Sequence, residues 1–86
     1  MVAFGDGIYG IENYQHEPPL VPPQSLDQAT REDIQRALLA RGYYDDEIDG
    51  LFGPGTRAAI GDYQESLGDD PTGILNRHQL DLLLGG

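Results

Sequence analysis

The sequence predicts an all-α fold: a small three-helix bundle with short extended segments before helices 2 and 3, preceded by a Pro/Gly-rich irregular N-terminal arm. Apolar residues recur at helical spacing in three stretches after residue 28. Capping residues or glycines bound each stretch. With 86 residues the chain has room for one small domain with a small core, and a deep active-site cleft is not expected.

We assign residues 1–28 to the arm and residues 29–86 to the helical domain. The arm carries three aromatic residues and no Arg. Its stretch EPPLVPPQ, residues 17–24, is too rich in proline for a helix and predicts extended polyproline II. The arm is either a linker or a segment that lies on the domain or on a partner; its aromatic residues favour the second interpretation.

The first helix is predicted over 30–41, with Thr30 as N-cap, Asp33 at the favourable N3 position and Gly42 as the left-handed residue that ends it. The second is predicted over 54–67, with Gly53 as N-cap and Pro54 in the first turn. The predicted buried stripes are Ile34, Ala37 and Leu38 in the first helix and Ala59, Ile60, Tyr63 and Leu67 in the second.

The third helix is predicted over 76–84, where Asn76 and Gln79 have the spacing of a capping box. Its predicted core residues are Leu80, Leu83 and Leu84. The connections before helices 2 and 3 form a weak internal repeat, because GLFGxxT from Gly50 matches GILNxxQ from Gly73. We expect the extended segments 51–52 and 74–75 to pair beside each other.

The stretch Asp45-x-Glu47-x-Asp49-Gly50 has the acidic spacing of a calcium loop, but the acid required at the twelfth position is replaced by Thr56. A structural turn is the better interpretation. In it Asp49 accepts backbone N–H groups and Gly50 has a positive φ, so we predict no metal site.

The charge balance excludes several functions. Acids outnumber bases by fifteen to five, all the bases are Arg, and the formal net charge is −10. Such a chain is unsuited to nucleic acid or to an anionic membrane surface. It has no Cys, no apolar run long enough for membrane insertion and no leader pattern, so it is either not exported or a mature or excised piece.

Catalysis has no candidate residues. His16 and His78 have no motif partner, and no Ser-His-Asp, metalloprotease or phosphate-loop pattern occurs. The acid pairs 45–46 and 69–70 are adjacent in predicted turns, whereas glycoside hydrolysis needs carboxylates facing each other across a cleft. We predict no enzyme activity and no cofactor.

Residues 30–84 closely resemble the peptidoglycan-binding-like domain family, a three-helix bacterial cell-wall module. The resemblance rests on these motifs: Ile34-Gln35-x-x-Leu38, Gly42-Tyr43, Ile48-Asp49-Gly50-x-Phe52-Gly53-Pro54-x-Thr56-Arg57-x-Ala59-Ile60, Tyr63-Gln64, Thr72-Gly73 and Leu80-x-x-Leu83. The departures are Tyr63, where the family often has Phe, and Asn76 and Gln79, where it often has Asp and Thr. We assign these residues to the scaffold: Asp49, Gly50, Phe52, Gly53, Pro54 and Thr56.

The resemblance implies a non-catalytic module that binds the glycan or stem peptide of peptidoglycan. It implies a monomer in the periplasm or extracellular envelope that accompanies a catalytic domain or partner protein. The ligand-binding candidates are Tyr44, expected to face outward beside a buried Tyr43, Arg57 and Arg77 in matching first turns, and Gln64, expected to bond the 43–50 loop. The alternative is a protein-interaction module that reuses this fold and docks through the N-terminal arm.

Overall fold

A computed structural model describes residues 18–85, in which three α-helices follow a single turn of 3-10 helix, Pro23–Ser25. The helices are α1, Gln28–Ala40; α2, Pro54–Ser66; and α3, Arg77–Leu83. The predicted all-α class is confirmed, and the helix limits agree with the prediction to within about two residues. The predicted features of residues 1–17, including His16, lie outside the described residues.

The ends of the helices follow local capping chemistry. Gly53 and Pro54 begin α2, and the capping box of Asn76 and Gln79 begins α3, as predicted. The N-cap predicted for α1, Thr30, was wrong, because the N-cap is Asp27. The Asp27 carboxylate accepts a hydrogen bond from the Thr30 backbone N–H at 2.9 Å, so Thr30 lies inside the first turn.

The core lies where the three helices meet. Its buried apolar residues are Ile34, Leu38, Tyr44, Ala59, Ile60, Tyr63, Leu75, Leu80 and Leu83. Leu67 and Leu84 were predicted to belong to it, but both are exposed. Each is the C-cap of its helix, so it lies beyond the last complete turn, where the helical periodicity that placed it in the stripe no longer holds.

The outward orientation predicted for Tyr44 was also wrong. Tyr44 is only 6% exposed, and its hydroxyl donates a hydrogen bond to the Glu47 carbonyl at 2.5 Å. Tyr43 is half-buried and packs edge-on against Tyr63. Gly42, at φ 84°, turns the chain back so that both tyrosine N–H groups face the Leu38 carbonyl. The second tyrosine therefore enters the core.

The extended segment before α3 pairs with the N-terminal segment. Within residues 18–85 the isolated bridge is antiparallel and joins Leu20 to Asn76, and the Val21 N–H donates to the Leu75 carbonyl at 2.8 Å. The predicted pairing of 51–52 with 74–75 was therefore wrong. The N-terminal segment occupies this edge, while the polar groups of the 49–51 turn are bonded by a side chain of α1.

That side chain is Gln35, which is fully buried between Ile34 and Leu38. Its Oε1 accepts hydrogen bonds from the backbone N–H groups of Asp49 and Gly50, at 3.0 and 2.8 Å. Its Nε2 donates to the Leu51 carbonyl at 3.0 Å. One amide thus holds the 49–51 turn against α1, 14 to 16 residues away along the chain.

We predict that Gln35→Ala lowers the free energy of unfolding by about 3 kcal/mol, because buried turn groups lose their hydrogen-bond partners. Urea unfolding followed by circular dichroism measures this change. Gln24→Ala, at an exposed position, serves as the control and should change stability by less than about 0.5 kcal/mol. Equal effects of the two substitutions would contradict the structural role assigned to Gln35.

Candidate functional site

A second buried glutamine repeats the arrangement in the other half of the domain. Gln64 of α2 is 1% exposed, and its Oε1 accepts the Gly73 N–H at 2.9 Å. Its Nε2 donates to the Ile74 carbonyl and to Gln79 Oε1, both at 2.9 Å. The prediction that Gln64 bonds the 43–50 loop was therefore wrong, since that loop is held by Gln35.

The two turns held in this way border one open groove of about 720 Å³. The groove is lined by Pro23, Gln24, Arg31, Gly50, Leu51, Phe52, Gly53, Arg57, Gly73 and Ile74. Both copies of the internal repeat contribute to it, through 50–53 and 73–74. The two copies of the sequence repeat therefore form this surface together.

Close backbone approach shapes the groove. Gly73 has φ 82°, and a Cβ atom there would lie 3.5 Å from the Arg57 carbonyl oxygen. A side chain would be strained by that conformation and would project beside the first turn of α2. Gly50 also has a positive φ, 75°, as predicted, and its backbone is buried against Gln28.

The groove is electrostatically unlike the rest of the molecule. Among the described residues that line it, two are Arg and none is Asp or Glu, although the chain as a whole carries −10. Arg31 is engaged internally: its Nε donates to the Gly50 carbonyl at 2.7 Å, and its Nη1 donates to the carbonyls of Pro23 and Leu26. Arg57 is exposed, and the salt bridges found within residues 18–85 do not include it.

The four predicted binding residues are therefore not brought together. Arg57 lines the groove, whereas Arg77 does not and lies 3.7 Å from Asp81 on the exposed side of α3. Tyr44 and Gln64 are buried, and their polar groups bond within the protein. Of the four, Arg57 is the one placed to meet a ligand in this groove.

Three residues that shape the groove were not predicted from the sequence as part of a site: Gln24, Arg31 and Gln35. A signal for Gln35 was present, because it and Gln64 are polar residues within otherwise apolar helix stripes, each directly after a core residue. No motif or spacing in the neighbouring sequence indicated that Arg31 or Gln24 would lie at a groove. Their positions depend on how the segment before α1 folds back over the 49–51 turn.

A second groove of about 440 Å³ lies beside the 72–76 segment. Asp69 and Asp70 line it, and Arg does not. The side chains of Gln64 and Gln79, which also line it, are both hydrogen-bonded within the protein. This groove offers no charge complementarity to an anionic ligand, in contrast to the groove beside Arg57.

Asp49 fixes the turn that borders the groove. Its Oδ1 accepts the Leu51 N–H at 2.9 Å. This backbone hydrogen bond, followed by one from the Gln35 side chain, lowers the pKa of the Asp49 carboxyl below its usual value of 3.8. The predicted turn interpretation of 45–50 is confirmed in these two details, the Asp49 contact and the conformation of Gly50.

Comparison with known proteins identifies the domain. The family model described as a peptidoglycan binding domain matches residues 27–83, well over half of the chain. The chain belongs to the peptidoglycan binding domain family. The match ends close to the end of α3 and begins at Asp27, the N-cap of α1, which confirms the resemblance seen in the motifs.

A solved structure similar to this domain is SltB3 from Pseudomonas aeruginosa, in complex with NAG-anhNAM-pentapeptide. The similarity has a TM-score of 0.63 and 36% sequence identity, and it covers 67% of this chain. The chain spans only 16% of the length of SltB3. Among curated proteins, no sequence matches significantly.

Membership of a peptidoglycan binding family implies association with the cell wall. In the part of the chain that the structure describes, none of the helices is both long and apolar enough to cross a membrane. The matching family model describes a binding domain.

The shift at Asp49 predicts a pH dependence of stability. Because the folded pKa lies below 3.8, the carboxylate contributes fully above about pH 3.8, and this contribution is lost as the pH falls through the lower folded pKa. Asp49→Asn should therefore make stability depend less steeply on pH in acid. Asp27, whose pKa is lowered chiefly by hydrogen bonds from Thr30, contributes a pH dependence of the same sign in both proteins.

Urea unfolding from roughly pH 6 to pH 2.5 tests this expectation, with Asp45→Asn as the control at an exposed acid of the same loop. The control should keep the wild-type slope. A wild-type slope in Asp49→Asn as well would show that the carboxylate of Asp49 does not contribute charge-dependent stability.

Proposed function

We propose that this chain is a non-catalytic module that binds peptidoglycan through the groove beside Arg57. It holds an attached or partner activity at the periplasmic or extracellular face of the bacterial envelope. The observation that carries the proposal is the exposed Arg57 in a groove whose described lining contains no acid, on an otherwise acidic chain. The family match supplies the ligand class.

The charge of Arg57 suits the peptide part of peptidoglycan, which bears carboxylates. A guanidinium presents a planar fork of donors that matches a carboxylate in a bidentate geometry. The other basic residue of the groove, Arg31, donates to three backbone carbonyls and so keeps the walls in place. We therefore assign ligand contact to Arg57 and wall positioning to Arg31.

The apolar surface of the groove suits a glycan or the aliphatic side chains of a stem peptide. Leu51 is 67% exposed, and Phe52 and Ile74 are half-exposed beside it. A few directed polar contacts within a mostly apolar concave surface are typical of small-ligand sites. The acidic net charge of the chain weakens its overall attraction to the wall. Binding therefore depends on the local contacts that the groove makes.

A protein-interaction module is the second candidate, and the net charge of −10 favours it, because peptidoglycan carries carboxylates of its own. Pull-down with insoluble peptidoglycan separates the two functions. Retention of the full chain on the wall material supports the proposed function. Recovery entirely in the supernatant, with wall material that retains a known wall-binding domain, would favour the alternative.

We predict that Arg57→Gln weakens binding of NAG-anhNAM-pentapeptide about tenfold, because the ligand loses a charged, bidentate partner. Isothermal titration calorimetry measures the dissociation constant. Arg77→Gln is the matched control: it removes the same charge from the first turn of another helix, outside the groove. The control should change the affinity by less than about twofold.

Equal losses in the two variants would mean that only net charge matters, and would overturn the assignment to Arg57. Arg57→Lys adds a second comparison. It keeps the charge but cannot form the planar fork, so its affinity should fall between those of the wild type and Arg57→Gln.

A further inference from the structure

The segment before α1, residues 18–26, is built into the domain although it precedes the family match, which begins at residue 27. Its first half pairs with the chain before α3: the Val21 N–H donates to the Leu75 carbonyl at 2.8 Å, and the Arg77 N–H donates to the Pro19 carbonyl at 2.9 Å. Two backbone hydrogen bonds thus fix the path of the segment along one edge of the bundle.

Its second half is held from the other side. Arg31 Nη1 donates to the carbonyls of Pro23 and Leu26, while Arg31 Nε donates to the Gly50 carbonyl. The half-buried guanidinium therefore ties the segment to the 49–51 turn. Because that turn is itself held by Gln35, the segment and the groove floor form one hydrogen-bonded unit.

Apolar packing supports the same arrangement. Val21 and Leu26 pack against the core, and the space between them, Phe52 and Ile60 has no room for a water molecule. A segment attached only loosely would leave such space open to solvent. The segment is therefore an integral part of the bundle between Pro18 and α1.

Two residues of this segment, Pro23 and Gln24, line the groove together with Arg57. Pro23 is constrained by its ring and by the hydrogen bonds to its carbonyl. Gln24 is exposed, and no hydrogen bond is found from its side chain to the described residues. Its amide can therefore donate to or accept from a ligand without breaking a hydrogen bond to the described residues.

We infer that residues 18–26 form one wall of the peptidoglycan-binding groove and that Gln24 is a specificity-determining contact for the ligand. This inference rests on the proposed function of the groove. It places a determinant of ligand choice outside the region matched by the family model. The wall lies within residues 1–28, which the sequence assigns to the arm rather than to the helical domain.

The test uses full-length chains and a charge placed on this wall. Gln24→Glu adds a carboxylate to the groove that contains Arg57, and Gln24→Arg adds a guanidinium. The matched controls are Ala29→Glu and Ala29→Arg, at an exposed position in the first turn of α1 that does not line the groove. Each pair changes the net charge equally, so a difference within a pair reports position rather than total charge.

With NAG-anhNAM-pentapeptide as probe in calorimetry, Gln24→Glu should weaken binding at least about threefold more than Ala29→Glu. Gln24→Arg should bind at least as tightly as the wild type. Both differences should shrink at high salt, since charges in an open groove are screened. Thermal unfolding checks that all four variants fold, which the exposure of both positions favours.

Two outcomes overturn the inference and are distinguishable. If the two Gln24 variants bind like their Ala29 counterparts while Arg57→Gln loses affinity, the groove binds the ligand without this wall. If the folded wild-type chain shows no saturable binding, the proposed function fails and this inference fails with it.

Discussion

The buried amide of Gln35 and its twin in Gln64 are the interactions on which the rest of this small domain depends. A turn presents both N–H and C=O groups, and burying them without partners costs free energy. A glutamine side chain carries a donor and an acceptor on one planar group, so it can satisfy both from a neighbouring helix. Each amide therefore holds the turn between two helices in one conformation, and that turn forms part of the groove.

The presence of two such glutamines explains how so short a chain builds a concave surface. The domain is too small for a deep cleft, and its groove lies instead between two shallow turns. Gln35 positions one turn and Gln64 the other, and Gly73 lets the second approach the first turn of α2. The groove thus lies between the two copies of the repeat, and buried hydrogen bonds hold the turn in each copy.

The helices were predictable from the sequence because caps, prolines and glycines act within a few residues of one another. Asp27 displaced Thr30 as a cap within that same local range. Features that depend on distant segments were predicted wrongly: the partner of Gln64 and the pairing of the segment before α3. Each depends on which of several compatible segments packs against an edge of the bundle or against a buried side chain.

The groove was harder to predict than the fold for the same reason. Arg57 was predicted as a candidate because it lies in the first turn of a predicted helix, and it lines the groove. Gln24 and Arg31 come from a segment whose composition resembles a linker, and their role exists only once that segment folds back over the 49–51 turn. Net charge was also misleading, since fifteen acids conceal a local surface where only arginines are charged.

We propose that two turns, held by Gln35 and Gln64, form a binding surface for peptidoglycan. The most direct measurement is an amide NMR titration of the full chain with NAG-anhNAM-pentapeptide. If the groove binds the ligand, saturable shifts are concentrated at 50–53, Arg57 and 73–74, and the exposed face of α3 is unaffected. Shifts concentrated at the acidic groove around Asp69 and Asp70, or no shifts at millimolar ligand, would contradict it.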